Sequence, residues 1–567
     1  MFGWKQKVLI FSCLVAASGA LAGTSGVVLN ELMVDPSPGV GLPEVEYVEL
    51  MNASAHSVRL EGWALWYGGR TFTLPSVVLP AQGYVVFCKE SAHALLDTLL
   101  SVSGLSSFPA LSNAGGCLAL LNAGGGVESV VRYSSDGYGS GFKAQGGWSL
   151  ECRDPSNASG DAANWTASLD ASGGTPGRLN SVRTACPDLH PPWCTALRVP
   201  TSHTVVLHFS KTMDTTSLKE EAHYALSPEK ALVSSVSVAF PEAKAVTLTL
   251  TDALEAKTMY ALSLKGLTDV SGFALPDTVL GLALPEEPRA GELRLNEVLF
   301  NPKPGGCDYV EVVNVSDRCV DLSRVILTRR LASGLLDKGC RWVDVPTPCL
   351  PGSYWLLAVS LDSVYAAGGF PRAPNGLELS ALPSLPDDEG NVVLATLSGE
   401  IVDEMTYTEG MHLAILEDVE GIALEKRLPM LSSGIPEHWV SAASTAHYGT
   451  PGYPNSHVSV EPPLSGGRWT ANRTWLTPNN DGREDEVMLR LSSELPCVGN
   501  LRVYDLSGKL VRELMASALL GAEALCYWDG TDGKGQRVPY GRYLLLAELF
   551  TTEGQVTTQK MVLTVLF

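Results

Sequence analysis

Short apolar runs of strand length alternate with polar residues along the chain and are broken by Gly, Pro and Asn clusters. The first is Val27-Val28-Leu29-Asn30-Glu31-Leu32. After a Pro/Gly loop comes Glu46-Tyr47-Val48-Glu49-Leu50, which alternates at strand period. Further β runs at 63–66, 84–87, 117–121 and 127–133 follow at the spacing of a sandwich. Helical periodicity is scarce, with 91–100 (Ser91 to Leu100) its clearest stretch, so a parallel α/β core is disfavoured. The pattern predicts an all-β chain of tandem sandwiches.

The same pattern returns in the second half, and an internal repeat constrains architecture more than any single motif. Leu29-Asn30-Glu31 returns as Leu295-Asn296-Glu297, and Glu46-Tyr47-Val48-Glu49 as Asp308-Tyr309-Val310-Glu311. Gly147-Trp148-Ser149-Leu150-Glu151 matches Gly421-Ile422-Ala423-Leu424-Glu425. Each copy closes on Gly-Thr-Pro-Gly, at 174–177 and 449–452, and then Asn-Ser. The order Asn-Glu, Glu-Tyr-Val-Glu-Leu, Leu-x-Gly-Trp-x-Leu, Trp-Ser-Leu-Glu and Gly-Thr-Pro-Gly-x-x-Asn resembles the lamin-tail domain in its bacterial secreted form. That resemblance implies immunoglobulin-like β-sandwiches at 26–182 and 291–458 that serve as structural or interaction modules. The second copy departs from it, because Arg324-Val325 stands where the first has Gly62-Trp63.

Between the copies, at 183–287, the strand 204–210 and the segment from Met213-Asp214 to Tyr224-Ala225-Leu226 resemble the start of bacterial Ig-like domains of surface-layer proteins. The last unit, 470–567, carries Thr477-Pro478-Asn479-Asn480-Asp481-Gly482, Trp528-Asp529-Gly530 and Pro539-Tyr540-Gly541. It resembles both the Ig-like domain of flagellar hook-capping proteins and the C-terminal sorting domains of type IX secretion. Usual sorting domains read Pro-Asn-Gly-Asp-Gly where this chain has Pro478-Asn479-Asn480-Asp481-Gly482. A seven-strand-type sandwich is expected there, with Trp528 covering its core.

Length agrees with this organisation: at roughly 100–200 residues per domain, 567 residues imply several cores. Lys5 and Lys7, the apolar run 8–15 and Ala20-Leu21-Ala22 have the form of a secretory signal peptide over 1–22. No later run approaches the roughly 18 apolar residues of a membrane span. The formal charge of -21 repels phosphate backbones and anionic lipid, so nucleic acid is not an expected partner. Of 12 cysteines one lies in the signal segment. Most of the other eleven, in an oxidising compartment and without zinc spacing, are expected to form disulfides, leaving one odd thiol, with the close sequence pairs Cys340–Cys349, Cys307–Cys319 and Cys497–Cys526 as the expected bridges.

Candidate chemistry is sparse. His-Glu-x-x-His, Gly-x-Ser-x-Gly and Walker-type loops are absent. His203 and His208 are an odd number of residues apart and fall on opposite strand faces, which disfavours a shared metal. Glu46 and Glu49 do likewise, whereas glycosidases aim two carboxylates at one bond, so their expected role is register and edge solubility. Trp63, Trp66, Trp148 and Trp165 suit a sugar-binding platform but suit a sandwich core better. Asn479, Asp481 and Asp485 around Gly482 offer oxygen ligands of the kind Ca²⁺ takes, although an Asx-rich turn needs the same residues. No other cofactor is implied. The expectation is a non-catalytic secreted or cell-surface bacterial protein that binds an extracellular protein, a polysaccharide or a cell-envelope component. The alternative is a polymer- or carbohydrate-binding accessory of a secreted hydrolase system.

Overall fold

The computed structural model describes residues 26–96, 101–139, 141–157, 162–228, 232–416, 418–458, 468–479, 483–493, 496–551 and 554–566. The expected signal segment lies outside them. The chain divides into two compact units. One runs to Leu197 and includes His203–Ala253 and Tyr260–Gly281; the other holds Arg198–Ser202, Leu254–Met259 and Leu282–Phe567.

In the first unit a six-stranded sheet runs in the order Trp165–Ala167, Leu150–Cys152, Val27–Met33, Tyr47–Asn52, Tyr84–Lys89, Val102–Leu105. A four-stranded sheet runs Val127–Ser134, Gly115–Leu121, Ala64–Tyr67, Arg70–Thr73. Strand alternation explains the core between them. Leu29, Val48, Leu50, Val85 and Phe87 from the larger sheet meet Leu65, Leu118, Leu120 and Val131 from the smaller. The helical stretch expected over 91–100 is a 3₁₀ helix at Glu90–Leu95, with 97–100 outside the described residues.

The second unit contains the same arrangement. Its six-stranded sheet, read from the corresponding edge, runs Trp439–Ser441, Leu424–Lys426, Leu293–Leu299, Tyr309–Asn314, Tyr354–Ala358, Gly376–Glu378. Its four-stranded sheet runs Ile401–Thr408, Glu389–Thr396, Val325–Thr328, Cys340–Arg341. In both sandwiches the last strand of the large sheet is parallel to its neighbour, and a separate two-strand ribbon is present. Val325, which replaces Trp63 in the motif, is buried in the core as Trp63 is, so the apolar position survives the change of residue.

A third sandwich in the first unit pairs Thr204–Phe209 with Ala245–Leu250, and that strand with Val233–Val238, beside the pair Tyr224–Ser227 and Tyr260–Leu264. In the second unit, the C-terminal residues form a three-stranded and a five-stranded sheet around Trp469, Trp528, Val503 and Leu545. That makes eight strands among the described residues where seven were expected, the short Trp475–Leu476 strand adding itself in parallel to Val556–Val565. Trp528 is fully buried, packs edge-to-face on Tyr543 and donates its indole N–H to the Thr531 carbonyl at 3.0 Å. Among the described residues no helix is long and apolar enough to cross a membrane.

Candidate functional site

The densest polar chemistry lies on the face of each six-stranded sheet that looks away from the sandwich core. Strand register sets Glu31 opposite Glu49 on one side and opposite Glu151 on the other. A β-bulge at Asn30 makes this possible. Without it, alternation would send Glu31 to the face of Leu29. With one extra residue, Leu29 and Leu32 both point into the core and Glu31 turns outward with Met33 and Tyr47. In the second sandwich Glu297 faces Glu311 and Glu425, with the same bulge at Asn296.

All six carboxylates are buried, and the closing Gly-Thr-Pro-Gly-x-x-Asn segment is what buries them. Glu31 Oε1 accepts from Tyr47 Oη at 2.5 Å and from the Thr175 amide at 2.8 Å. Glu49 accepts from Asn30 Nδ2 at 2.7 Å and from the Gly177 amide. Glu151 Oε2 accepts from Ser181 Oγ at 2.8 Å and the Val182 amide at 3.1 Å. Asn180 Nδ2 ties the segment to the Cys152 carbonyl at 2.7 Å and the Asn30 carbonyl at 3.0 Å. Gly174 is required by contact: a Cβ there would lie 2.7 Å from both Glu31 Oε1 and Tyr47 Oη.

The second sandwich repeats this group by group. Tyr309 Oη and the Thr450 amide donate to Glu297, Asn296 and the Gly452 amide to Glu311, and Ser456 Oγ (2.7 Å) and its amide (2.9 Å) to Glu425. Asn455 Nδ2 donates to the Lys426 carbonyl at 2.8 Å.

One threonine in each cluster carries chemical information. Thr175 Oγ lies 3.0 Å from Glu31 Oε2 and 3.0 Å from Glu151 Oε1. Thr450 Oγ lies 2.8 Å from Glu297 Oε2 and 2.7 Å from Glu425 Oε1. A hydroxyl has one proton to donate, so the second contact needs a proton from a carboxyl group. Electrostatics points the same way. Burial first, and for Glu297 the neighbouring Glu425 next, pushes these acids up, to about 7 for Glu31 and about 8 for Glu297, with Glu49 and Glu311 raised well above the carboxylate range. Each cluster is a proton-sharing set of hydrogen bonds whose oxygens are already engaged inside the fold.

Glu46 is half-buried, raised first by burial, and lies just before the strand that carries Glu49. The expected edge-solubility role of Glu49 does not hold: its strand is interior to the sheet and its side chain is fully buried. Trp63 is core, Trp165 packs against that core, Trp66 meets Phe240 edge-to-face and Trp148 is buried against Phe142 and Lys143, so the four build no common platform. In the loop proposed for calcium, Asn479 is exposed, Asp485 is half-buried and Asp481 lies outside the described residues. Among the described residues no group of three or more His, Cys, Asp or Glu could hold a metal ion.

The eleven cysteines among the described residues are free thiols, so none of the three expected pairs is bonded in this structure. Closeness in sequence does not carry over to the sheets. Cys340 lies opposite Leu327 in the four-stranded sheet, while Cys349 lies opposite Val320 in the separate ribbon. Cys307 packs beside Leu299 and Tyr309, and Cys319 approaches the Ala283 carbonyl. Cys497 and Cys526 both pack into the C-terminal core from facing sheets.

Comparison with known proteins adds two family matches. Residues 21–135 match the Lamin Tail Domain, and residues 191–280 match the Bacterial Ig-like domain. No curated protein matches the chain. Among solved structures, the N-terminal part of the bacterial S-layer protein SbsC is 12% identical, with 39% of this chain and 44% of that one covered and a TM-score of 0.16. The chain thus spans less than half of that structure. CopC from Methylosinus trichosporium OB3b is 21% identical over 14% of this chain and 74% of that one, with a TM-score of 0.11. A Ca²⁺-stabilized adhesin by which an Antarctic bacterium binds ice is 11% identical over 96% and 100%, with a TM-score of 0.12. TM-scores this low carry no inference about architecture or function.

Proposed function

We propose that the protein is a non-catalytic adhesive scaffold of a bacterial surface, in which two lamin-tail-like sandwiches, an Ig-like spacer and a C-terminal sandwich present binding surfaces beyond the cell. At the coarser level it is a modular, mostly β-sandwich, secreted or surface protein with a lamin-tail-like domain and a bacterial Ig-like domain. One observation carries the non-catalytic reading. The groups best suited to acid–base chemistry, the paired carboxylates, are buried and hydrogen-bonded to the segment that closes each sandwich. Two features support a second lamin-tail-like domain over 291–458: the shared sheet order and the shared carboxylate cluster.

The C-terminal residues 470–567 are read as a sorting or attachment module, which their motifs support and which the hook-capping resemblance rivals. The test is to express the chain with and without 470–567 in a type IX-competent host and follow surface delivery by protease shaving of intact cells. Surface exposure of the full chain and periplasmic retention of the truncated one are expected. Normal delivery of the truncated chain would assign 470–567 to a purely structural role, and an intracellular full chain would overturn the surface reading.

A further inference from the structure

Within the first unit, a groove of about 830 Å³ runs between Val127–Ser134 of the first sandwich and the 239–245 turn of the third, floored by the connection 186–193. Its volume is in the range of small-ligand sites, roughly 300–1,000 Å³. The walls touch at two places: Arg132 Nε bonds Glu242 Oε1 at 2.6 Å, and Trp66 packs edge-to-face on Phe240.

One feature of the lining calls for a ligand. Trp193 is 49% exposed, yet its backbone is held by both a bond from its amide to Ser210 Oγ (3.1 Å) and one from the Ser210 amide to its carbonyl (3.0 Å). A large exposed aromatic on a fixed backbone is a preformed stacking face. Beside it, the Asp188 side chain is only 8% exposed. Its Oδ1 takes Lys211 Nζ at 2.5 Å. Arg132, Lys244 and His190 supply donors around the same space.

We infer that this groove binds a segment of polysaccharide, a pyranose ring lying on the Trp193 indole with its hydroxyls turned to the polar side chains of the lining. The apolar C–H face of such a ring carries slight positive charge and suits the negative π face, while its hydroxyls both donate and accept, as this mixed lining demands. A phosphate or acidic ligand fits less well, because Asp188 and Glu242 stand in the lining of a chain of charge -21. The inference deepens the adhesive reading above by giving it a ligand class.

The test titrates the purified full chain with cellohexaose, chitohexaose, xylohexaose and hexagalacturonate, by calorimetry and by quenching of tryptophan fluorescence. At least one should bind at one site per chain. Trp193→Ala should weaken it about tenfold or more with unchanged melting, as for an aromatic hot spot. The proposal is overturned if none of the four binds at millimolar concentration, or if Trp193→Ala binds as wild type does. Binding of an oligoglutamate peptide in their place would assign the groove to acidic polypeptide and overturn it equally. Surface delivery is read independently by shaving, so a groove that binds no saccharide on a surface-delivered protein rejects this inference alone.

Discussion

Glu31 stands directly across a strand pair from Glu49, and both side chains are fully buried. In a medium of low dielectric two such carboxylates cannot both stay ionised at ordinary cost, so the pair holds protons into the neutral range.

This fixes the sign of a pH dependence. The acid forms of Glu31 and Glu297 are favoured by folding, their folded values of about 7 and about 8 lying above the ordinary 4.5. The folded chain therefore binds more protons than the unfolded one, and the stabilisation is complete below about pH 4.5 and is lost as pH rises towards 7 and 8. The free energy of unfolding should fall between about pH 5 and about pH 8 by an amount on the order of 3 kcal/mol per sandwich, and the melting temperature with it. Glu31→Gln and Glu297→Gln should flatten the profile. A melting temperature that rises across that range would contradict the shared-proton account.

Thr175 and Thr450 bridge two acids each, so the hydroxyl and not the volume should matter. Thr175→Val is expected to cost the first sandwich roughly 1–3 kcal/mol, the range for an unsatisfied buried polar group, and Thr175→Ser much less. Thr450→Val should act alike on the second sandwich. Urea unfolding followed by hydrogen exchange separates the two, and equal costs for Val and Ser would remove the hydroxyl's role.

The strand content, the duplication and the core positions could be read from the sequence, because alternation and turn clusters report burial locally. Trp528 is the core residue expected of it, and the Leu29-Asn30-Glu31 and Leu295-Asn296-Glu297 runs occupy equivalent strands. The carboxylate cluster was visible only as repeated polar motifs. Strict alternation places Glu31 on the core face, and nothing local announces the bulge at Asn30 that reverses it. Pairing Glu46 with Glu49 considered one strand, whereas the partners of Glu49 come from the neighbouring strand and from a segment 128 residues later. The groove at Trp193 depends on two sandwiches meeting, which no motif records.

The thiols offer a separate check. Burial pushes the Cys349 thiol up to about 12 and raises that of Cys497, so neither forms a reactive thiolate readily in the folded chain. If secreted protein is oxidised, Cys497 and Cys526, which share one core, should bond before Cys307 and Cys319, which pack in different surroundings. Peptide mapping of non-reduced secreted protein decides this, and a Cys307–Cys319 bridge without Cys497–Cys526 would contradict the packing described.

Hydrogen exchange at single-amide resolution tests most directly whether the buried glutamates hold each sandwich shut. The amides of Thr175, Gly177, Thr450 and Gly452 belong to surface-crossing segments but donate into Glu31, Glu49, Glu297 and Glu311. The account predicts that they exchange as slowly as neighbouring strand amides, and that Glu49→Ala and Glu311→Ala each release protection in their own sandwich alone. Rapid exchange of these four amides in the wild-type chain would show the carboxylates to be open to solvent, and would contradict it.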